Sequence, residues 1–355
     1  MAVSNGYLAE EIIFLILSWL PVVSLVRFRK VCKLWNSIIT NPKFIENHCI
    51  NCQKRQPSLL SLAQIGDVQQ MCITCEDYSF RLNLPQNCYG TTIYYVRSCN
   101  GLVCLADLYA QVICVCNPST RQFKILPTPN IKSNCIIGVT LGFGFDFIGN
   151  GYKILRMVLG LHGGNGLEQL AEVYTTNADS WRMIETPPIV QKFRIFPSGK
   201  CVESKNGVLY LEGTNGLLWF DLHNEVLGVH PYPQKSLHHV KMSDLLDLQG
   251  SVAMIRRSTD DESVPSLWLL DGDGGKLSWT KKCNLEGASD IQWIVSYWYS
   301  GYFIGFDDDS GRIFYGYKKK ETNKPCFPAD VLDEAESVVK HCDSLVSLKG
   351  FEQLE

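Results

Sequence analysis

Two cysteine pairs are the residues of this sequence whose types and spacing most resemble a site of chemistry. Cys49 and Cys52 form one Cys-x-x-Cys pair, and Cys72 and Cys75 form a second pair after a gap of nineteen residues. That spacing fits a four-cysteine zinc template. The second pair, however, lies in a β-like run, where residues three apart point to opposite faces and where neither Gly nor Pro supplies a turn. We therefore predict four small hydrophobic side chains at these positions and no metal site.

Catalytic motifs are absent from the sequence. It contains no Gly-x-Ser-x-Gly nucleophile motif, no phosphate-binding Walker loop and no His-Glu-x-x-His helix. The segments "DGDGGK" and "DDDSGR" resemble calcium loops, but Lys276 and Arg312 stand where such a loop requires glycine, so hairpin turns are favoured. We predict no catalytic residue, no cofactor and no enzymatic activity of the chain itself.

Composition and charge narrow the class of protein. The 355 residues carry a formal net charge of −3, which does not favour nucleic acid as a partner. The 15 Cys are scattered, unlike the cysteines of a small disulfide-stapled secreted domain. The uncharged run from Ile12 to Val26 contains Pro21 and is too short to span a bilayer, and Glu10 and Glu11 precede it where a secretory signal requires basic residues. We expect a cytoplasmic or nuclear protein that binds no membrane.

The same apolar run predicts short helices that need a partner. Leu8, Ile12, Ile16 and then Trp19 with Leu20 recur at three-to-four-residue spacing, which marks one stripe of a helix, and apolar residues fill its other faces as well. A second helical pattern follows Pro21 and continues to about residue 40. Two or three short helices cannot bury so much apolar surface among themselves. We infer that another protein covers part of it.

This helical segment resembles the F-box, the motif that attaches a protein to the Skp adaptor of cullin-based ubiquitin ligases. The resemblance rests on "LAEEII", "LSWLPVVSLVRFRKVCKLWNSII" and "NPKFIENH", although Ala9 stands where the family usually has proline. It implies that the adaptor binds the apolar positions of the motif. Those positions are Leu8, Ile12, Ile16, Leu20, Pro21, Leu25, Val31, Cys32 and Trp35. The alternative is that these residues only form the core of an isolated helical subdomain.

Beyond residue 48 the pattern changes to strands and turns. Five segments, which begin near residues 113, 171, 217, 267 and 302, each show a short apolar strand, a polar turn and a second strand. Their mean spacing of about 47 residues is typical of propeller blades. The Asn-Gly segments "SCNGLVCL" and "SKNGVLYL" precede the first and third hairpins, which indicates that the inner strands of a blade come first. Residues 58–96 and 320–348 are candidates for a sixth blade that joins the two ends of the chain. Helical periodicity is expected to return only in "ADVLDEAESVVKH" (329–341).

The strand-rich region resembles the F-box-associated domain of plant F-box proteins, which is related to kelch-type propellers. The resemblance rests on "SCNGLVCL", "NPSTRQFKILP", "LGFGFDFIGNGYKILRM" and later segments in the order that the family shows. Proteins of this build include the S-locus F-box-like proteins of pollen. The expected fold class is α+β multidomain, with a small all-α N-terminal F-box (1–48), connecting strands that begin the propeller (49–95) and an all-β propeller-like domain (96–355).

The two resemblances together imply the substrate-recognition subunit of an SCF-type (Skp-cullin-F-box) ubiquitin ligase. In that role the helices bind the Skp-type adaptor and, through it, the cullin, while the propeller binds an unidentified target protein that is then ubiquitinated and degraded. One alternative is an F-box scaffold that acts outside degradation. Another is a propeller that works as an enzyme or as a non-catalytic binding module, for example for sugars.

The segment "IQWIVSYWYSGYF" (291–303) is the candidate for a substrate face. It holds more Trp and Tyr than a core strand requires, and such side chains are favoured at binding hot spots. With the glycine-rich loop at 160–166 it is predicted to edge this face, and Trp298, Tyr299 and Tyr302 are the candidate contacts. By contrast, Trp181 and Trp279 occupy equivalent places in their repeats and are predicted to pack between blades.

Overall fold

The N-terminal part of the chain folds into four short helices, called here the helical unit. In the computed structural model they are α1 (Glu10–Ser18), α2 (Val22–Phe28), α3 (Lys33–Thr40) and α4 (Pro42–Gln53). The structure describes residues 8–55, 57–65, 68–75, 79–84, 93–132, 136–161, 166–196, 200–214, 216–233, 244–256, 264–272, 277–288, 291, 293–297, 301–307, 311–316, 321–323 and 335–353. Within these ranges, none of the helices is both long enough and apolar enough to cross a membrane.

Local capping explains where α3 and α4 begin. The side chain of Asn41 accepts a hydrogen bond of 2.9 Å from the Lys43 N–H, and Pro42 occupies the first position of α4. The Sγ atom of Cys32 accepts from the Trp35 N–H at 3.5 Å, so the second predicted helical pattern is divided into α2 and α3. Helix α4 continues to Gln53, beyond the domain boundary predicted at residue 48.

The rest of the described chain is almost entirely β-structure. Its strands are β1 (Ser58–Ile65), β2 (Val68–Thr74), β3 (Ser79–Asn83), β4 (Ile93–Cys99), β5 (Leu102–Asp107), β6 (Ile113–Asn117), β7 (Gln122–Ile125), β8 (Ile136–Asp146), β9 (Gly151–Leu161), β10 (Leu167–Thr175), β11 (Ser180–Ile184), β12 (Cys201–Glu203), β13 (Val208–Gly213), β14 (Gly216–Asp221), β15 (Leu227–Pro231), β16 (Asp244–Leu248), β17 (Ser251–Arg256), β18 (Ser266–Asp271), β19 (Ser278–Asn284), β20 (Trp293–Tyr297), β21 (Tyr302–Asp307), β22 (Gly311–Gly316), β23 (Glu321–Asn323), β24 (Ala335–His341) and β25 (Glu352–Gln353). The short helix α5 (Pro188–Gln191) lies between β11 and β12.

The described strands form six antiparallel sheets, which are the blades of a propeller. Blade 1 has the order β24-β1-β2-β3, blade 2 has β4 to β7 with β25 added outside β7, and blades 3 to 6 are β8–β11, β12–β15, β16–β19 and β20–β23. The innermost strands β24, β4, β8, β12, β16 and β20 contact one another in this order, and β20 contacts β24 again. The ring is therefore closed, and the predicted combination of an all-α N-terminal unit and an all-β propeller is confirmed.

Apolar clusters between adjacent blades hold the ring together. One cluster joins Leu60 and Met71 of blade 1 to Val103 and Cys116 of blade 2, and comparable clusters follow between blades 2 and 3, 3 and 4, 4 and 5, and 5 and 6. Because each blade alone exposes two apolar faces, only neighbours on both sides can cover them.

The two predicted inter-blade tryptophans make equivalent contacts. Trp181 is buried between blades 2 and 3, and its Nε1–H donates to the Pro127 carbonyl at 2.7 Å. Trp279 packs between blades 4 and 5, and its Nε1–H donates to the Pro231 carbonyl at 2.9 Å. The sequence-based prediction for both is confirmed.

The prediction of a helix at 329–341 is wrong for the part that the structure describes. Ala335–His341 is the strand β24, which pairs with β1 in a register that places Leu60 opposite Val339 and Ser58 opposite His341. The partner strand is far away in the sequence, and its backbone hydrogen bonds override the local helical pattern. Blade 1 therefore joins the two ends of the chain, as the candidate sixth blade required.

Residues 342–351, called here the C-terminal segment, connect the ring to the helical unit. The Asn117 Nδ2 of blade 2 donates to the carbonyls of Ser344 at 2.9 Å and Val346 at 2.8 Å. Between them, Leu345 is buried in the core of the helical unit. A further bond of 2.9 Å joins Gln53 Nε2 of α4 to Asn100 Oδ1 in the β4–β5 turn. The helices are therefore held against blade 2.

Candidate functional site

The inward side of the helical unit is a small apolar core. Phe44 of α4 is fully buried and meets the ring of Phe14 of α1 edge-on, with the ring centroids 5.1 Å apart. The other fully or nearly buried members of this core are Leu17, Val22, Leu25, Ile38, Ile39 and Leu345. Burying such side chains contributes about 1.5–3 kcal/mol each, so this core fixes the relative positions of the helices.

Helix α4 also holds the C-terminal end of α1 through polar contacts. The Nε2–H of His48 donates to the Leu20 carbonyl at 2.8 Å, which leaves Nδ1 as the acceptor 3.5 Å from the Cys52 Sγ. Burial lowers the pKa of His48, and the hydrogen bond to Leu20 offsets this effect only in part. Arg55 donates to the Trp19 carbonyl, and its guanidinium lies 5.8 Å from the centre of the Trp19 ring. The exposed Trp19 ring is thereby held in place.

The outward side of the helical unit presents apolar side chains to solvent. Single exposed apolar residues are common, but such a group on one small unit marks an interaction surface. On α1 and just before it they follow one stripe at three-to-four-residue spacing. We call this surface the apolar face; its members, each 40% to 60% exposed, are Leu8, Ile12, Leu15, Ile16, Trp19, Val23, Val31 and Leu34.

The nine residues predicted to bind an adaptor divide into three groups. Leu8, Ile12, Ile16 and Val31 belong to the apolar face, and Pro21 and Cys32 are also exposed. Leu20 and Trp35 are half-buried, and Trp35 packs on Phe28 with ring centroids 5.2 Å apart. Leu25 is fully buried, so the structure corrects its assignment to a binding surface: it holds the helices together.

Sequence reasoning did not assign binding positions to four exposed members of the apolar face. These are Leu15, Trp19, Val23 and Leu34. The spacing of Trp19 with the Leu8, Ile12 and Ile16 stripe was the available signal, since all four lie on one side of α1.

The two cysteine pairs do not come together as a zinc site in the part of the chain that is described. Cys49 and Cys52 are buried on α4, and burial raises the pKa of each thiol to about 11. Cys72 is buried in β2, and Cys75 is half-buried with its Sγ 3.0 Å from the Ser58 hydroxyl oxygen. Across the described ranges no group of three or more His, Cys, Asp or Glu is arranged to hold a metal ion.

The structure describes only part of the predicted aromatic substrate face. Trp298 and Tyr299 lie outside the described residues, as does most of the glycine-rich loop at 160–166. Tyr302 begins β21 and is half-buried, and its ring lies so close to Gly316 that a Cβ atom there would approach it to 2.9 Å. This contact gives Tyr302 a packing role within blade 6, and its role in binding stays a prediction.

The interior of the ring contains ionisable groups that are paired with one another. Lys340 of β24 forms an ion pair of 2.7 Å with Asp247 of β16, across the position of blade 6. Glu203 of β12 accepts from the Phe145 N–H at 3.0 Å and from the Cys99 thiol at 3.1 Å, and burial raises the pKa of this carboxyl group. These contacts join inner strands of different blades, which gives the groups a structural explanation.

A cavity of about 250 Å³ opens at the turns of blades 3 and 4. Lys153 lies at its base, with its Nζ atom 2.9 Å from Asp146 and 2.8 Å from Glu225. Burial alone would raise the pKa of Asp146, but hydrogen bonds from the Gly149 N–H and from Lys153 outweigh it and lower the pKa. Arg182 forms the outer ion pair with Glu225. The four charged residues come from β8, β9, β11 and the β14–β15 turn, and no sequence motif predicted the cavity.

Comparison with known proteins assigns both parts of the chain. Residues 8–47 match the F-box domain family, and residues 49–303 match the family described as F-box associated beta propeller domain. Two similar proteins of Arabidopsis thaliana are F-box protein At5g18160, 28% identical over 281 residues, and F-box/kelch-repeat protein At3g23880, 23% identical over 332 residues. These alignments cover 75% and 84% of this chain and 66% and 85% of the respective relatives.

A third Arabidopsis thaliana relative, named as an F-box protein, At4g21240, is 30% identical over 298 residues. That alignment covers 75% of this chain and 65% of the relative, so the chain spans somewhat less than two thirds of that protein. Among solved structures, AztD of Citrobacter koseri is similar with a TM-score of 0.38 and 14% identity, over 83% of this chain and 84% of that one. A similarity at this level establishes neither the fold nor the function of this chain.

Proposed function

Because this chain belongs to the family of F-box proteins with an F-box-associated β-propeller domain, we propose that it is the substrate-recognition subunit of an SCF-type ubiquitin ligase. The helical unit would bind a Skp-type adaptor and thereby the cullin, and the propeller would bind the target protein. Other subunits would carry out ubiquitin transfer, and the chain itself would act as an adaptor and not as an enzyme. We place this activity in the cytoplasm or the nucleus, which a fluorescent fusion in plant cells would test.

The apolar face of the helical unit is the observation that carries this proposal. Exposed apolar patches of this kind mark protein interaction sites, and interfaces of ordinary size bury roughly 1,600 Å² in total. Because α4 and the C-terminal segment fix the helices, the face is already ordered before binding, which lowers the entropic cost of association.

The proposed role of the propeller is to hold a target near the ligase. Binding the target and the adaptor to one rigid chain raises the effective concentration of target lysines at the charged conjugating enzyme. The contacts between helical unit and ring support this role, because they restrict the orientation of one relative to the other.

Adaptor binding can be tested with a pair of matched variants. Ile16→Asp places a charge in the apolar face, and we expect it to weaken binding to a purified Skp-type adaptor at least 100-fold, because the charge would have to be desolvated. Ile50→Asp changes an isoleucine on α4 that is 43% exposed, against 51% for Ile16, and is not a member of this face; it should leave binding within a factor of about three. Equal affinities of both variants in isothermal titration would contradict the proposal.

The ligase role is distinguished from that of a scaffold by the lifetime of the target. In plant cells, the wild-type chain should shorten the half-life of proteins that it captures, while Ile16→Asp should capture them without shortening it. Capture with unchanged half-life in both cases would indicate a scaffold, and capture without adaptor binding by the wild type would indicate an independent binding module.

A further inference from the structure

The C-terminal end of α1 has three backbone carbonyl groups that no backbone N–H satisfies. They belong to Ser18, Trp19 and Leu20, and within the described part of the chain none of them accepts a backbone hydrogen bond. Pro21, which follows, has no N–H to donate. The last carbonyls of a helix need partners from elsewhere in the fold when the backbone does not provide them.

Each of these carbonyls accepts a hydrogen bond from a polar side chain of α4 or of a residue just after it. The three bonds run from His48 to Leu20 at 2.8 Å, from Asn51 to Ser18 at 3.4 Å and from Arg55 to Trp19. The three donors follow one another at spacings of three and four residues, so they project from one side of the helix. Helix α4 and the residues that end it therefore determine where α1 ends and how its last residues are oriented.

Arg55 holds Trp19 at two points. Its guanidinium donates to the Trp19 carbonyl, and it also lies 5.8 Å from the centre of the indole ring, within the range of a cation–π contact. Trp19 nevertheless remains 56% exposed. The indole is therefore held in position and open to a partner at the same time.

Trp19 also has the largest side chain of the apolar face. In the chain it lies between the α1 members of that face and Val23, which belongs to α2. Tryptophan is enriched among the few residues that carry most of the binding energy of an interface. A large aromatic side chain that is already fixed loses little conformational entropy when it binds. These are the properties of an anchor, a side chain that fills a pocket of the partner.

We propose that Trp19 is an anchor of the adaptor interface and that Arg55 is the positioning residue that holds it in the orientation that the adaptor binds. The adaptor then offers an apolar pocket for an indole ring opposite the junction of α1 and α2. Arg55 lies beyond the residues 8–47 that match the F-box domain family, so the docking unit of this chain includes the end of α4. This inference rests on the proposed function and names a contact within the same interface.

Isothermal titration of the full chain with a purified Skp-type adaptor tests this proposal. Trp19→Ala should weaken binding at least about 30-fold, because the anchor is lost. Arg55→Met keeps an unbranched apolar side chain but removes the charge and the N–H donors. It should weaken binding about three- to tenfold, because the indole must then be ordered during binding. The matched control Lys54→Met removes the same charge from the exposed neighbouring residue and should bind like the wild type.

A double-mutant cycle separates positioning from direct contact. If Arg55 acts through Trp19, Arg55→Met should change the affinity of Trp19→Ala by less than about twofold. An equal loss in both backgrounds would mean that Arg55 contacts the adaptor itself or only stabilises the fold, and it would overturn the positioning role. Melting temperatures within about 2 °C of the wild type would show that the losses arise at the interface.

Fluorine NMR of the full chain labelled with 5-fluorotryptophan observes the indole without the adaptor. The Trp19 resonance is the one that Trp19→Phe removes. In Arg55→Met it should move towards the chemical shift of free fluorotryptophan, because the ring is no longer held, and in Lys54→Met it should stay where it is in the wild type.

Two results would overturn the inference while the proposed function stands. One is wild-type affinity of Trp19→Ala although Ile16→Asp binds weakly, and the other is an unchanged fluorine resonance in Arg55→Met. A wild-type chain that binds no adaptor would instead refute the proposed function and the anchor role with it. The fluorine measurement would in that case still decide whether Arg55 positions Trp19.

Discussion

Truncating Leu345 tests whether the C-terminal segment stabilises the helical unit. Leu345 is 1% exposed, and it packs in the core of the helices although it follows the last strand of the ring by only a few residues. The change Leu345→Ala removes most of this side chain and leaves a cavity among the helices.

The expected cost follows from the burial of this residue. Fully buried Leu→Ala changes destabilise proteins by about 2–5 kcal/mol, and a loss of about 3 kcal/mol corresponds to roughly a 100-fold increase in local opening. The effect should be confined to α1–α4, because Leu345 belongs to their cluster and not to the clusters between blades.

Amide hydrogen exchange of the full chain measures this opening. In Leu345→Ala, amides of α1–α4 should exchange roughly 100-fold faster, while those of β8 and β9 should keep the wild-type rate. The control Leu348→Ala changes a residue of the same segment that packs between blades 2 and 3, and it should speed exchange there and not in the helices. If the helices of Leu345→Ala exchange at the wild-type rate, the hypothesis that the C-terminal segment stabilises the helical unit is refuted.

Three further changes test other contacts. Gly101 has a φ of 78°, and a Cβ atom there would lie 2.1 Å from the Ser344 Cβ. Gly101→Ala should therefore lower the free energy of unfolding, measured with urea, by about 2 kcal/mol or more, and an unchanged urea midpoint would refute this. Burial lowers the pKa of His341 from 6.5 to about 4, so the unfolded chain takes up the proton at a higher pH than the folded chain. The free energy of unfolding should therefore fall by up to about 3 kcal/mol as the pH drops from 6.5 to 4. His341→Gln should lack this pH-dependent loss, and identical pH profiles of variant and wild type would argue against it. Ala9 has a φ of −59°, which suits proline, so Ala9→Pro should stabilise the protein by about 0.4–1 kcal/mol, and a lower melting temperature would contradict this.

Local features of this fold could be predicted from the sequence. The Asn100-Gly101 pair illustrates this, because both residues adopt positive φ, of 46° and 78°, in a tight turn between β4 and β5. The five hairpins and the first helices were predictable for the same reason, since their signals lie within a few residues of one another. The closing strand β24 was not, because its partner β1 is at the other end of the ring and the local pattern resembles a helix.

The candidate sites also combine features that the local sequence predicts with features that depend on tertiary packing. Periodicity identified α1 as apolar on nearly all faces, but it could not tell that Leu17 points inward and Leu15 outward, because that depends on where α4 packs. The cavity at the turns of blades 3 and 4 was not predictable from single residues. Asp146 and Glu225 are ordinary turn residues in the sequence, and the packing of blade 4 against blade 3 brings both of them to Lys153.

The placement of Leu345 within the helices has a consequence for the order of events during synthesis. Residues 8–53 leave the ribosome first, but about 300 residues must still be made before Leu345 is available, which takes roughly 15–60 s at usual rates. Until then the helices lack one member of their core and the ring lacks its closing strand. Truncated or stalled chains would therefore carry an incomplete docking unit. In this fold, the helical unit therefore completes its core only after the C-terminal segment has been synthesised.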